Sequence, residues 1–280
     1  MLSSDWPTIE AAMPYAANEG AKLYWEEHGV GDPVLMIMGL SFTLEMWTRM
    51  LPALTPSYRV ILFDNRGMGR SSVPRGLYSI RQMARDAAAV LDAAGVNAAH
   101  IVGASMGGMI AQELALSLPH RVRSLLLACT THGGFLSRWP DFSRRPRGVQ
   151  WPKYERIERE RAVIPMLYAD TTPIERIEED IHLRCNCQWN AQGFFRQLAA
   201  ILPWTSYRRL RRINVPTLVV HGDQDRLVPS ANGRMVAKRI PGATFRIIEN
   251  AGHVLTTDQP EICAELMVDF LKGLVDRGMR

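Results

Sequence analysis

Cysteine is scarce in this sequence, and its spacing excludes several classes of protein. The 280 residues contain four cysteines, at Cys129, Cys185, Cys187 and Cys263, with no C-x-x-C pair and no His/Cys cluster at zinc-binding spacing. A disulfide-dense secreted scaffold and a structural zinc domain are therefore excluded. We expect reduced thiols and no metal site.

Long hydrophobic runs are missing as well. The first twenty residues, "MLSSDWPTIEAAMPYAANEG", carry acidic residues and no basic segment followed by an apolar stretch, so they predict neither a secretory signal nor a membrane span. There is no internal repeat or low-complexity segment, and 47% hydrophobic with 22% charged residues is typical of a globular protein. We expect a cytoplasmic protein that does not bind a membrane.

Acidic residues are fewer than basic residues: 28 Asp and Glu against 33 Lys and Arg give a formal net charge of +5. Much of the arginine lies in "SRWPDFSRRPRGVQWPKYERIERER" and "SYRRLRR". The first run is interleaved with acids and neither accompanies a nucleic-acid-binding motif, so we expect no nucleic-acid partner. Two interpretations of these arginines stay open, a solvated helical surface and the attraction of a carboxylate-bearing substrate.

What the sequence does contain is an alternation of short apolar runs and helical patterns. The apolar runs are "DPVLMIMG", "YRVILFD", "AHIVGAS", "VRSLLLAC", "VPTLVVHG" and "ATFRIIEN", and they indicate strands buried on both faces of a parallel sheet. "GAKLYWEEHGVGDP" alternates as an antiparallel edge hairpin does, with His28 near its turn. We predict a doubly wound, mostly parallel, eight-stranded α/β sheet with right-handed crossovers.

Helix-end residues support this order. "SIRQMARDAAAVLDAAG" begins at an N-capping Ser79 and closes at Gly95, "MGGMIAQELALSLP" stops at Pro119, and "PEICAELMVDFLKG" runs from Pro260 to Gly273. These helices are expected to cover the sheet.

The alternation breaks between residues 131 and 212, where Trp, Arg and Pro are frequent and no strand pattern is clear. We predict an α/β core of residues 1–130 and 213–280, with residues 131–212 forming a helical cap inserted between two strands.

The sequence "GASMGG" places Ser105 between a strand and a helix, flanked by Gly103 and Gly107. This pattern predicts a sharp turn that exposes the serine hydroxyl at the carboxyl edge of the sheet, with glycines where the backbone passes too close for side chains. Because a serine hydroxyl is a weak nucleophile, it needs a base and a carboxylate that orients the base.

Of seven histidines, His253 is the best candidate for the base, because "IIENAGHVLTTDQP" puts it in the loop after the last strand. His132 could face a pocket, and His221 is expected to pack. Both Asp223 and Asp225, in the loop after the preceding strand, could supply the carboxylate.

With these residues in order, the chain resembles the α/β-hydrolase-fold serine hydrolases of the bacterial esterase, lactonase and cofactor-free haloperoxidase group. The resemblance runs from about residue 20 to the C-terminus through "DNRGMGRSS", "GASMGG", "HGDQDRLVP" and "AGH". It implies that Asp225 is the acid, that Asp223 structures its loop, that Asp64 and Arg66 form a structural turn, and that no cofactor is required.

The resemblance also implies an oxyanion hole of two backbone N–H groups. One is that of Met106, after the nucleophile, and the other lies in the loop after the third strand. Many relatives have His-Gly there, whereas this chain reads Met38-Gly39-Leu40-Ser41. We expect the second donor to be Leu40, with Ser41 as the alternative, and Gly39 and Ser41 beside the substrate.

The expected activity is cleavage of a small-molecule carboxylic ester or lactone through an acyl-enzyme. Carbon–carbon bond hydrolysis and cofactor-free perhydrolase or haloperoxidase chemistry use the same residues and stay open, as does a ligand receptor on a hydrolase fold. The cap is expected to line the pocket, with candidates Trp139, Trp151, Trp189, Trp204, Phe194 and Phe195. A homo-oligomer is left open.

Overall fold

An eight-stranded sheet organises the chain in the computed structural model, which describes residues 15–138, 140 and 155–276. The sheet order is β1-β2-β4-β3-β5-β6-β7-β8, with β1 and β2 antiparallel to each other, β2 antiparallel to β4, and every other pair parallel. This confirms the predicted mostly parallel α/β sheet. The strands are β1 Tyr15–Asn18, β2 Ala21–His28, β3 Asp32–Ile37, β4 Tyr58–Phe63, β5 Ala99–Ala104, β6 Val122–Ala128, β7 Thr217–Gly222 and β8 Thr244–Ile248.

Ten α-helices lie in the described part of the chain. They are α1 Leu51–Leu54, α2 Ile80–Ala93, α3 Met106–Ser117, α4 Arg156–Ala162, α5 Ile164–Leu167, α6 Ile174–Asn186, α7 Ala191–Ile201, α8 Ala231–Arg239, α9 Leu255–Asp258 and α10 Pro260–Asp276. Segments of 3-10 helix occupy Leu44–Met50, Pro119–Arg121 and Leu210–Arg212. Across residues 15–138, 140 and 155–276, none of these helices combines the length and the hydropathy needed to cross a bilayer.

Alternation along the central strands builds two buried cores. On β3, Leu35 and Ile37 belong to the core that contains α2, α3 and α8, whereas Val34 and Met36 belong to the core that contains α1 and α10. Successive side chains of a strand point to opposite faces, so a continuous apolar run is what a strand covered on both sides requires.

Helices α4–α7 follow β6 and precede β7, in the segment predicted to form the cap. They pack above the carboxyl edge of the sheet: the N–H of His253 donates to the carbonyl of Leu167 at 2.7 Å, and the N–H of Gly69 donates to the carbonyl of Gln188 at 2.9 Å. The stretches "TPIERIEEDIHLRC" and "AQGFFRQLAAIL" form most of α6 and α7.

Two local predictions were wrong. "GAKLYWEEHGVGDP" forms no hairpin of its own: it contains β2 and the start of β3, and β4 lies between these two strands. The hairpin partner of β2 is β1, through a tight turn at Glu19 and Gly20. Helix α10 does not end at Gly273 but continues to Asp276, because a glycine inside a helix costs only about 1 kcal/mol.

Candidate active site

Ser105 links β5 to α3 and adopts a strained backbone conformation. Its φ is 56° and its ψ is −120°, a region that is unfavourable for a residue with a Cβ atom and that persists only where the surroundings hold it. Here the N–H of Ser105 donates to the carbonyl of Ala128 at 2.9 Å, and its own carbonyl accepts from the hydroxyl of Thr130 at 2.7 Å. The strand–turn–helix geometry expected around "GASMGG" is present.

Backbone crowding explains the glycines of this turn. A Cβ atom on Gly103 would lie 2.4 Å from the carbonyl oxygen of Gly107, and one on Gly107 would lie 2.0 Å from the carbonyl oxygen of Ile37. Real Cβ atoms do not approach backbone so closely. Side chains are therefore excluded at both positions while the turn keeps its shape.

His253 and Asp225 form a buried hydrogen-bonded pair. Nδ1 of His253 lies 2.9 Å from Oδ2 of Asp225, while Oδ1 accepts from the N–H groups of Leu227 at 3.0 Å and Val228 at 2.8 Å. A carboxylate only accepts hydrogen bonds, so Nδ1 carries the proton of the neutral ring and Nε2 is left as an acceptor. The loop after β7 thus fixes both the rotation of the imidazole and its tautomer.

The loop that carries His253 is held by two further aspartates. Oδ1 of Asp223 accepts from the N–H of Ala251 at 3.2 Å, and Oδ2 of Asp258 accepts from the N–H of Gly252 at 2.6 Å. Burial raises the pKa of Asp258 to about 6. Asp223 therefore contacts the backbone beside His253, which is the place expected of a loop-structuring residue.

His221 and Cys129 lie behind Asp225. Nε2 of His221 is 2.9 Å from the carbonyl of Val228 and 3.6 Å from Oδ2 of Asp225, and burial lowers the pKa of this imidazole and raises the pKa of the Cys129 thiol. One ligand atom from each of the three residues lies within 4.8 Å of the others. With a neutral ring donating to Val228, a protonated thiol and a carboxylate already bonded to His253, the cluster suits packing better than metal ligation.

His132 does not join this site. Its ring is buried against Tyr207, with ring centroids 4.9 Å apart, and it is absent from the described residues that line the cavity. Burial lowers its pKa. His132 lies at the entry of the insertion, where the sequence left a role in a pocket open. In the structure its ring instead packs against Tyr207.

The loop after β3 lies directly against Ser105. A Cβ atom on Gly39 would be 3.0 Å from Cβ of Ser105 and 3.5 Å from its Oγ. Met106 is the first residue of α3, so its N–H has no acceptor within the helix. The N–H of Ser41, in contrast, donates to Oε1 of Gln197 at 3.2 Å. Of the two alternatives for the second donor, Leu40 is therefore the one favoured by the hydrogen bonding.

A large cavity brings the predicted residues together. Its volume is about 1170 Å³, and the predicted site residues that line it are Gly39, Leu40, Ser41, Ser105, Met106 and His253. The rest of the wall is mainly apolar, with Met166 and Leu167 from α5 and Phe194, Phe195 and Leu198 from α7. Asp225 lies behind His253, outside the described lining.

Some of the predicted aromatic lining is present. Trp189, Phe194 and Phe195 line the cavity, whereas Trp204 is buried elsewhere and donates from Nε1 to Glu113 at 2.9 Å. Trp139 and Trp151 lie outside the described residues.

Two arginines of the cap make ion-pair, stacking and hydrogen-bond contacts with other residues of the chain. Arg184 pairs with Glu160 and stacks on the ring of Phe42, 4.2 Å from its centroid. Arg156 donates to the carbonyls of Cys185 at 3.0 Å and Cys187 at 2.6 Å. These contacts give Arg156 and Arg184 a structural role. Both also line the cavity, as do Arg138 and Arg159, so the attraction of a carboxylate-bearing substrate stays a prediction.

Several supporting residues were not predicted from the sequence. Asn65 donates from Nδ2 to the carbonyl of Met38 at 2.8 Å, and Gln197 and Asp258 bind the two loops that carry site residues. Gln197 had one available signal, an amide within the apolar pattern "AQGFFRQLAAIL", which also contains Gln192. Asn65 lies within the quoted motif "DNRGMGRSS" but received no role of its own, and no pattern in the sequence marked Asp258.

The eight-stranded, mostly parallel sheet with this cavity at its carboxyl edge is typical of α/β hydrolases. A comparison with protein families agrees. The model of the "Alpha/beta hydrolase family" matches residues 28–266. The chain belongs to this family.

Particular relatives are moderately similar along nearly the whole chain. The protein named "Putative carbamate hydrolase RutD" of Azorhizobium caulinodans is 34% identical, over 95% of this chain and 100% of its own length. A poly(3-hydroxyalkanoate) depolymerase of Ectopseudomonas oleovorans is 32% identical, over 86% of this chain and 84% of its own. Among solved structures, the enol-lactonase from Burkholderia xenovorans LB400 is 26% identical with a TM-score of 0.81, covering 92% of this chain and 100% of that one. All three of these proteins are named as hydrolases of one kind or another.

Proposed function

We propose that this chain is a serine hydrolase that cleaves a carboxylic ester or lactone with an apolar acyl or alcohol part. The observation that carries the proposal is the meeting of two features in one cavity: Ser105 on its strained turn, and His253 paired at 2.9 Å with Asp225. A nucleophile, a base and an acid that orients the base are the groups that acyl transfer requires.

In the first step Oγ of Ser105 attacks the substrate carbonyl while Nε2 of His253 accepts the hydroxyl proton. The imidazolium that results is stabilised by the carboxylate of Asp225 on Nδ1. The carbonyl π electrons move to oxygen, giving a tetrahedral oxyanion. Collapse of this intermediate breaks the bond to the alcohol oxygen, which leaves with the proton from His253, and Ser105 is left acylated.

The oxyanion is held by the N–H groups of Leu40 and Met106. Both residues line the cavity beside Ser105, and the N–H of Met106 belongs to the first turn of α3, where the helix dipole favours negative charge. Donors that are already oriented before the reaction lower the barrier because they need no reorganisation, and loss of one such donor typically costs about 10²–10³ in rate.

In the second step a water molecule takes the place of the alcohol. His253 removes one of its protons, the hydroxyl attacks the acyl carbonyl, and the second tetrahedral intermediate breaks the bond to Oγ of Ser105. The proton returns to Oγ, the carboxylic acid departs, and the enzyme is restored. No redox step or external co-reactant other than water enters this cycle.

The cavity supports an apolar substrate. Its volume of about 1170 Å³ and its wall of Met, Leu and Phe side chains suit a sizeable hydrocarbon part. The similarity to a carbamate hydrolase at 34% identity makes carbamate cleavage the second candidate. A small polar carbamate would leave most of this apolar wall without a partner, which favours the ester.

The test uses an active-site probe and a substrate panel. We expect a fluorophosphonate probe to label the wild-type protein, and p-nitrophenyl esters from acetate to octanoate to be hydrolysed, the longer ones with higher kcat/KM. Alkyl lactones and p-nitrophenyl carbamates complete the panel, and hydrogen peroxide with acetate tests for perhydrolysis.

The Ser105→Ala variant identifies the nucleophile. We expect it to lose labelling and to lose hydrolysis by at least about 10⁴-fold, with unchanged thermal unfolding. Ser117→Ala is the matched control, because Ser117 is at the end of the same helix and its hydroxyl bonds only to the carbonyl of Glu113 at 2.7 Å. A folded wild-type protein that is neither labelled nor active would refute the proposal and favour a ligand receptor.

A further inference from the structure

The loop after β3 is held by hydrogen bonds to residues outside the loop. The carbonyl of Met38 accepts from Nδ2 of Asn65 at 2.8 Å, and the N–H of Ser41 donates to Oε1 of Gln197 at 3.2 Å. Ser41 has a φ of 64°, a conformation that costs free energy unless surrounding contacts impose it. This strained residue donates its N–H to Gln197, and it lies next to the expected oxyanion donor Leu40.

Gln197 uses both ends of its side-chain amide. Oε1 accepts from Ser41, and Nε2 donates to the carbonyl of Arg66 at 2.8 Å. The side chain is fully buried. Because one end must accept and the other must donate, the amide cannot rotate by 180° without losing both bonds. Gln197 therefore joins the loop after β3 to the loop after β4 in one orientation.

Helix α7, which carries Gln197, is itself held tightly against the core. A Cβ atom on Gly193 would lie 1.9 Å from the carbonyl oxygen of Gly67, so the two backbones are in direct contact. Asn190 caps the helix, its Oδ1 accepting from the N–H of Gly193 at 2.9 Å. The position of the Gln197 amide is thus set by backbone packing.

There is little room for the loop to shift. Gly39 is so close to Ser105 that a Cβ atom would meet the serine Cβ at 3.0 Å, and the Ser41 N–H is already occupied by Gln197. The N–H of Leu40, between Gly39 and Ser41, is the group that the proposed oxyanion hole requires of this loop. A misplacement of about 1 Å near reacting groups can cost about 10²-fold in rate.

We propose that Gln197 is a positioning residue of the cap, which holds Ser41 so that the N–H of Leu40 faces the oxyanion formed at Ser105. This inference rests on the proposed function. Gln197 is absent from the described residues that line the cavity, and it acts through the backbone of the loop.

The first experiment compares two buried glutamines. Gln197→Met keeps the approximate volume and removes both hydrogen bonds, and we expect kcat for p-nitrophenyl butyrate to fall by about 30- to 100-fold while KM changes by less than about threefold. Gln112→Met is the matched control: Gln112 is also fully buried, donating to the carbonyl of Thr131 at 3.1 Å and accepting from Ser206 at 2.7 Å. We expect this control to lower the unfolding temperature comparably and to change kcat by less than about threefold.

The second experiment is a pH profile of Gln197→Glu. A protonated carboxyl group can accept from Ser41 and donate to the carbonyl of Arg66, whereas the ionised form has no donor and repels that carbonyl. Burial raises the pKa of such a group toward neutrality. We therefore expect the ratio of variant to wild-type kcat to rise as the pH falls from 8.5 to 6. The charged groups beside this amide, Asp64 and the Arg66–Asp86 pair, are present in both proteins.

The outcomes separate this inference from the proposed function. If the wild-type protein is not labelled by the fluorophosphonate, the proposed function fails and the role of Gln197 fails with it. If the wild type is labelled and active, the role of Gln197 is overturned by a Gln197→Met variant with kcat within threefold of wild type, by an equal loss in Gln112→Met, or by a flat pH ratio. If Gln197→Met does not fold, the pH ratio of Gln197→Glu decides.

Discussion

Replacing Asp225 by asparagine tests the assignment of the acid. Oδ1 of Asp225 accepts two backbone hydrogen bonds, from Leu227 and Val228, and Oδ2 faces Nδ1 of His253 at 2.9 Å. In Asp225→Asn the single amide oxygen continues to accept the hydrogen bonds from the N–H groups of Leu227 and Val228. The amide NH₂ group therefore faces His253. Nδ1 must then become the acceptor, and the ring proton moves to Nε2, where it prevents His253 from taking the proton of Ser105.

The expected loss is large because the geometry survives while the tautomer is wrong. The equivalent substitution in the chymotrypsin-type triad lowers kcat by about 10⁴, and at 1.36 kcal/mol for each factor of ten this is about 5.4 kcal/mol of transition-state stabilisation. We expect a similar loss here. Asp223→Asn is the matched control: its amide keeps a carbonyl oxygen for the N–H of Ala251, which the aspartate binds at 3.2 Å, so we expect a loss below about tenfold.

The assay is kcat/KM for p-nitrophenyl butyrate at pH 8, together with the rate of fluorophosphonate labelling and the thermal unfolding of each variant. Equal losses in the two variants would refute the assignment of Asp225, and so would a folded Asp225→Asn variant with activity within tenfold of wild type.

Three further predictions test the turn, the cavity and the His253 loop. Gly107→Ala should lower the free energy of unfolding by about 1–3 kcal/mol or more in urea titrations, because its Cβ atom would lie 2.0 Å from the carbonyl of Ile37; an unchanged midpoint would contradict the crowding. Leu198→Trp should lower kcat/KM for p-nitrophenyl octanoate at least about tenfold and that for acetate less than about threefold, because it fills the apolar cavity; equal effects on both esters would count against this wall. Burial raises the pKa of Asp258 to about 6 from an ordinary 3.8. Between pH 3.8 and pH 6 the folded state therefore binds a proton that the unfolded state lacks. The free energy of unfolding falls by up to about 3 kcal/mol as the pH rises through this range. The unfolding temperature of Asp258→Asn minus that of wild type should therefore increase from pH 4.5 to pH 7, and a constant difference would contradict the buried carboxyl.

The sheet could be predicted because its signal is local. Continuous apolar runs such as Val34–Ile37 put side chains into both cores, and only a strand covered on two faces needs that pattern. Pairing is not local, and here the prediction failed: nothing in "EEHGVGDP" indicates that β4 enters between β2 and β3. Strand order depends on where the crossover helices pack, which the strand sequences do not encode.

The site was predictable to the extent that its chemistry has a sequence pattern. Ser105 and His253 could be proposed because each follows a strand at the carboxyl edge, where parallel strands bring their ends together. The same argument left Asp223 and Asp225 open, and only the family resemblance favoured Asp225. Gln197 could not be proposed, because its role comes from two backbone groups, on Ser41 and Arg66, that are far from it in the sequence. A bond between a side chain and a distant backbone group leaves no motif.

Helix α7 has two separable roles, and the variants can distinguish them. Phe194 and Leu198 form part of the cavity wall, while Gln197 on the same helix binds the loop that carries Leu40. A substitution that only fills the cavity should change the preference for chain length and leave kcat for acetate intact. One that displaces α7, or removes the Gln197 amide, should lower kcat for every ester by the same factor, because all substrates share one oxyanion. Uniform loss from Gln197→Met and chain-length-dependent loss from Leu198→Trp would therefore assign oxyanion geometry and substrate selection to different residues of the same helix.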